Sequence, residues 1–182
     1  RTVAVALLWL GSLAMLGGSL RRWIDRPETA VRLQLVRRSA VFLVVLALTI
    51  SVAFWDWTMS LEPEWFSTMY GVYGFAGAMQ GGIAATAALS VHAPGGVSDK
   101  TRHDLGRLLF GFSMFWAYIW YCQFMLIWYA NLPEEVTYFA IRWLGSWSLL
   151  FWLNPVVNFA LPFLVLLPID SKKHASTLSR VA

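Results

Sequence analysis

Charged residues are unevenly spread along this chain. Five windows, about 2–20, 40–57, 66–91, 108–130 and 144–168, are dominated by Leu, Val, Ala, Phe and Trp, and nearly all Lys, Arg, Asp and Glu fall between them. About twenty helical residues rise roughly 30 Å, the thickness of a bilayer's hydrocarbon core. The windows therefore predict membrane-spanning helices, and none shows the ten-residue alternation of an outer-membrane β-barrel. The expected fold is all-α: a polytopic transmembrane bundle of about five spans, with residues 1–182 as a single transmembrane domain. The first window lacks a small-residue cleavage site and is followed by four more, so it reads as a span rather than a secretion signal. Because the chain opens on Arg1 and turns apolar at once, we read it as part of a longer or processed protein.

Composition agrees with this pattern. Of the 182 residues, 58% are hydrophobic and 13% charged, whereas a soluble domain carries about 25% charged residues. The net charge of +4 does not point to nucleic acid, because its distribution is that of a membrane protein. Twelve of the 14 basic residues lie in alternate connections: six from Arg21 to Arg38, three from Lys100 to Arg107 and three from Lys172 to Arg180. By the positive-inside rule the N-terminus is then periplasmic and the C-terminus cytoplasmic, in a bacterial inner membrane, with the basic residues meeting lipid headgroups. Cys122 is the one cysteine, which excludes an intrachain disulfide and leaves too few thiolates for an iron–sulfur cluster. His92, His103 and His174 fall in or beside cytoplasmic connections, not facing one another inside a bundle. No metal is expected on this chain.

The connections and spans carry finer signals. In the first connection Asp25 reads as a cap, Pro27 as a first-turn residue and Glu28 as a complement to a positive helix end. Together they predict a short interfacial helix that feeds the second span. The third span interleaves Gly71, Gly74, Gly77, Gly81 and Gly82 with alanines, a small-residue face for close helix packing. Gln80 lies among them at membrane depth, where its amide needs a partner. In the fourth span ten of the twenty residues Phe110–Tyr129 are aromatic, with Ser113, Trp116, Trp120 and Gln123 on one helical face. Packing is the plain reading of that stripe. The alternative is that Gln123 and hydroxyls such as Tyr118 hydrogen-bond a quinone headgroup against apolar walls. The fifth span holds Asn154-Pro155 and then Asn158 and Pro162. Proline removes the hydrogen bond to the carbonyl four residues back, which frees those of Phe151 and Asn158. Such a break marks either a bend or, with Gln80 and Gln123, a watery polar path.

Five of the ten acids lie on the other side. Asp56 stands between Trp55 and Trp57, at the headgroup level tryptophan prefers. Glu62-Pro63-Glu64 reads as a helix start, and Glu134 and Glu135, after Pro133, lie on the same side. Asp56, Glu62 and Glu134 can accept or relay protons there, although solvation alone accounts for acids at a membrane border.

Two stretches carry a resemblance: FWDWTMSLEPEWFSTMYGVYGFAG, Phe54 to Gly77, and LGRLLFGFSMFWAYIWYCQFMLIWYANLPEE, Leu105 to Glu135. Together they resemble the ActF-type membrane subunits of bacterial alternative complex III, quinol:cytochrome c oxidoreductases of the NrfD/PsrC-like superfamily. The resemblance implies about ten spans in a full subunit, of which this chain has half. It implies partners: a multihaem cytochrome c subunit, an iron–sulfur subunit, a sister NrfD-like membrane subunit and a monohaem cytochrome c, with a terminal oxidase as a further one. Haem c and iron–sulfur clusters would sit in those partners, with menaquinol or another quinol as substrate. Within the family this kind of subunit is assigned a proton-conducting or scaffolding role. The residues to test are then Asp56, Glu62, Gln80, Tyr118, Gln123, Glu134, Asn154 and Asn158, with Gly74, Gly77 and Gly81 as packing positions. Two alternatives are a purely structural subunit of that complex and a fragment of a secondary transporter. The latter is disfavoured by the lack of an inverted repeat.

Overall fold

The computed structural model describes residues 1–91 and 97–168, and among these every regular element is helical. The chain divides into two compact units, Arg1–Pro63 and Glu64–Ala182.

The first unit is a helical hairpin of α1 (Thr2–Asp25) and α2 (Thr29–Trp57), closed by a 3₁₀ turn at Met59–Leu61. Both helices exceed their predicted windows. The basic connection shrinks to Arg26-Pro27-Glu28, because six arginines do not stop a helix once its backbone bonds can continue into water. The separate interfacial helix is absent; its residues are the first turns of a continuous α2 of 29 residues. Asp25 ends α1 instead of capping α2, and Glu28 is the N-cap. Polar side chains tie the hairpin. Trp9 Nε1 donates to Thr49 Oγ1 at 2.8 Å, Arg38 donates to the buried Ser19 hydroxyl, and Trp9 meets Trp57 edge to face at 5.6 Å. Val5, Ile50 and Ala53 are buried, whereas Leu7, Leu10, Leu43, Val44 and Leu48 stay exposed. In a membrane those apolar faces meet lipid or other helices.

The second unit consists of α3 (Met69–Val91), α4 (Asp99–Ala130), α5 (Pro133–Leu144), α6 (Ser148–Pro155), a π-helical turn (Val156–Ala160) and α7 (Leu161–Leu166). Helix α4 runs 32 residues, ~48 Å at 1.5 Å per residue, so its charged first turns reach beyond a hydrocarbon core. Ser98 caps it by accepting from the Thr101 N–H at 3.2 Å. Asn131, with φ of 49°, ends it in the left-handed conformation that asparagine tolerates. One face of α4 is buried at Gly106, Leu109, Ser113, Trp116, Ile119, Gln123 and Ile127. It packs antiparallel on α3, so that Gly77 faces Trp116 and Gln80 faces Ser113. Leu109 and Leu166 form the core with Ile83, Ala84, Val91 and Phe110 around them.

Three expectations change here. Glu62-Pro63-Glu64 does not open a helix: Glu62 closes the 3₁₀ turn, and regular structure resumes only at Met69. The fifth window is not one rod but α6, the π-turn and α7. Helix α5, with Pro133 in its first turn and only 12 residues long, was not separated from its surroundings. Among the described residues four helical stretches are long and apolar enough to cross a membrane: Thr2–Asp25, Thr29–Leu61, Asp99–Ala130 and Ser148–Leu166. Helix α3 has 23 residues and no charge, but its glycines, tyrosines and Gln80 dilute its hydropathy.

Between α5 and α6 the chain turns at Gly145, whose φ of −84° and ψ of −172° suit any residue. Space is the constraint, since a Cβ there would collide with the Ile141 carbonyl oxygen. We expect Gly145→Ala to lower stability by about 1–3 kcal/mol, in the range of overpacking. Denaturant unfolding in mixed micelles reads it; an unchanged midpoint would mean the turn relaxes freely.

Candidate functional site

The second unit holds a partly buried polar cluster built from four elements, α3, α4, α6 and the π-turn. Asn154 at the end of α6 and Asn158 in the π-turn are one helical turn apart. Asn158 Nδ2 donates to the Asn154 carbonyl at 3.0 Å and to its Oδ1 at 2.6 Å. Asn154 Nδ2 in turn donates to the Tyr73 hydroxyl of α3 at 3.3 Å. From α3, Gln80 Nε2 donates to the Asn158 carbonyl at 2.6 Å and to Ser113 Oγ of α4 at 3.2 Å. Ser113 passes its own hydrogen to the Leu109 carbonyl at 2.8 Å. The cause lies in Pro155 and Pro162. A π-turn carries an extra residue, and Pro162 has no N–H for the Asn158 carbonyl. At membrane depth a freed carbonyl must be satisfied by a neighbour, and Gln80 satisfies it. Gln80 and Ser113 are 5% and 0% exposed, so no solvent competes. The acceptor atom Gln80 Oε1 is left buried without a partner.

A second cluster lies at the other end of the α3–α4 seam. Gln123 Nε2 donates to Ser67 Oγ at 3.2 Å. Trp65, 4% exposed, stacks on Tyr138 at 3.8 Å and meets Tyr70 edge to face at 5.3 Å. The Arg142 guanidinium covers Tyr138 at 3.6 Å, necessarily on the ring's other face. Burial, and then the neighbouring Tyr70, push the Tyr138 phenol well above its ordinary pKa, which keeps it a neutral donor. Beside this cluster an apolar cavity of about 250 Å³ opens between α4 and α5, lined by Phe124, Ile127, Phe139 and Trp143 among others.

Gln80, Asn154 and Asn158 are thus brought together, with Ser113 and Tyr73, which the sequence reading did not single out as site residues. Gln123 belongs to the second cluster. Tyr118 is 63% exposed and turned away from both, because the aromatic run circles the whole helix and only one face of it packs inward. Glu134 is exposed in the first turn of α5, where it complements the helix's positive end. Gly74 is buried, and a Cβ on Gly77 would lie 3.6 Å from Trp116, an ordinary contact. Gly81 has open space around it among the described residues.

Asp56 and Glu62 belong to the first unit. The Asp56 carboxylate is taken by Arg1, whose Nε donates to Oδ2 at 2.8 Å and whose Nη2 pairs with Oδ1, while Thr2 Oγ1 lies 3.3 Å away. Asp56 is 8% and Arg1 73% exposed at the side chain. Glu62, half-buried, follows the 3₁₀ turn. Among the described residues no group of His, Cys, Asp and Glu is arranged to hold a metal. His92 and His174 lie outside the described residues. No protein-family model matches this chain, and no curated protein does.

Proposed function

We propose that this chain is part of an integral membrane subunit of a bacterial quinol:cytochrome c oxidoreductase of the alternative complex III kind. In this reading α3 is a fifth span, the N-terminus is periplasmic and the C-terminus cytoplasmic. The haem and iron–sulfur partners carry the electrons. One observation carries the proposal. The two stretches that bear the resemblance pack on one another through Gly77–Trp116 and Ser67–Gln123, and beside that seam lies a polar cluster at membrane depth. Hydrocarbon penalises polar groups, so a neutral cluster in a membrane bundle serves either helix association or a polar path. Oxidation of a quinol releases two protons with its two electrons, and a subunit of this kind would pass protons while its partners pass electrons.

A specific observation favours the second reading, a structural subunit. Asn154, Asn158, Gln80, Ser113 and Tyr73 bear no group that ionises near neutral pH, and their bonds are those needed to mend a broken helix.

The test begins with partners. Affinity purification of the chain from native membranes should bring down c-type haem and an iron–sulfur protein; recovery of the chain without them rejects the family reading. In the assembled complex, Asn154→Leu and Asp56→Asn should each lower the protons moved per electron while leaving cytochrome c reduction largely in place. Unchanged proton movement in both variants leaves the structural reading. Loss of assembly in Asn154→Leu favours it as well.

A further inference from the structure

The orientation of the Gln80 amide is fixed by its neighbour. The Asn158 carbonyl can only accept, so the atom 2.6 Å from it must be Nε2, and Oε1 points the other way. One Nε2 hydrogen is used there and the other at Ser113 Oγ, 3.2 Å away. Ser113 cannot turn to serve Oε1 without giving up the Leu109 carbonyl at 2.8 Å. Both Asn158 Nδ2 hydrogens are committed to Asn154. Among the described residues Gln80 Oε1 is therefore a buried acceptor lacking a donor, in a residue only 5% exposed. Leaving it so carries a desolvation penalty that no hydrogen bond offsets, and in a bilayer core no bulk water relieves it.

The missing group must be a hydrogen-bond donor. It must also be neutral, because the cluster holds no carboxylate to compensate a cation at that depth. It must be small, because Gln80 itself and the Ser113 it touches are closed to solvent, at 5% and 0% exposure. Water meets all three conditions, and buried waters typically join polar groups that the protein leaves unpaired. We propose that Gln80 Oε1 binds an internal water molecule, making the π-turn a hydrated break in the membrane span. The site itself does not depend on the respiratory reading; its use as a proton stepping point does. Amides hold protons but do not hand them on, so a proton crossing this cluster would have to travel on that water and on hydroxyls.

The test uses the full chain in lipid nanodiscs and solid-state NMR with magnetisation transferred from water. The sequence has three glutamines, Gln34, Gln80 and Gln123, and only Gln80 follows a methionine. Labelling Met at the carbonyl carbon and Gln uniformly with ¹⁵N and ¹³C therefore identifies Gln80 without any substitution. We expect transfer from water to the Gln80 carboxamide, alongside that to the exposed Gln34, which serves as the control. A Gln80 carboxamide that stays dark while Gln34 receives signal overturns the water site, whatever the complex does. Signal at Gln80 together with unaltered proton movement in Asn154→Leu keeps the water site and rejects its use in a relay.

Discussion

Replacing Trp65 by alanine is expected to cost the second unit about 3–5 kcal/mol, the range for emptying a buried aromatic site. The ring is 4% exposed and stands between partners that cannot follow it. Tyr138 lies flat on it at 3.8 Å and is itself held by Arg142, while Tyr70 is anchored in the first turn of α3. The irregular stretch before Met69 has no helical hydrogen bonds of its own, so this ring is what fixes it against α5. Trp65→Phe separates the contributions. It keeps most of the stacked surface and removes an indole N–H that has no partner, and an unpaired buried donor costs about 1–3 kcal/mol. The two effects oppose, so Trp65→Phe should fall close to the native protein. Denaturant unfolding in mixed micelles, followed by near-UV dichroism, reads both. An alanine variant as stable as the native chain would show that Trp65 is only covered, not holding anything.

The same segment shows where sequence reasoning stops. Pro63 between two acids has the composition of a helix start, yet the chain turns at Glu62 and stays irregular. Tertiary stacking of Trp65 outweighs a local preference of a few tenths of a kcal/mol per residue. The existence of most spans was legible because charge clears from them. Their ends were not, since a helix continues through Arg and Lys as soon as those side chains reach water. For α4 the true start was nonetheless written in Ser98, Asp99 and Thr101, an N-cap followed by an acidic first turn. Helix α5 carried similar signs, with Pro133, Glu134 and Glu135 at its start and Arg142 in its last turn. Its 12 residues are too few to span, and the search for long apolar windows passed over it.

The candidate site was half legible. That Gln80 needs a partner, and that Pro155 and Pro162 leave carbonyls free, both follow from elementary hydrogen bonding. That the two needs answer each other depends on which face the π-turn presents to α3, and no periodicity within either segment encodes that. Ser113 was placed on the right face of α4 by its spacing to Trp116 and Gln123. Tyr118 could not be excluded in the same way, because a run with ten aromatics in twenty offers no polar face against which to set a register. Gly81 illustrates the converse. Its spacing from Gly77 fits a packing face, but none of the described residues of this unit packs there.

Gln80→Leu is expected to weaken the second unit by about 1–2 kcal/mol and to disturb the π-turn specifically. Leucine is nearly isosteric, so little cavity forms, and hydrogen bonding decides the outcome. The Asn158 carbonyl loses the donor that replaced the missing N–H of Pro162. Hydrogen bonds between membrane helices average about 0.6 kcal/mol and reach about 1.7, and an orphaned carbonyl raises the loss toward the upper end. Against this, the variant also removes the buried Oε1, which no protein donor serves among the described residues, and this limits the total. Pro162→Ala in the Gln80→Leu background supplies the second half of the test. It restores an N–H that can satisfy Asn158 from within the helix, and so should recover at least half of the lost stability. If the double variant is no more stable than Gln80→Leu alone, then Gln80 does not act by replacing the proline's missing donor. The effect would then have to come from packing between α3 and α4.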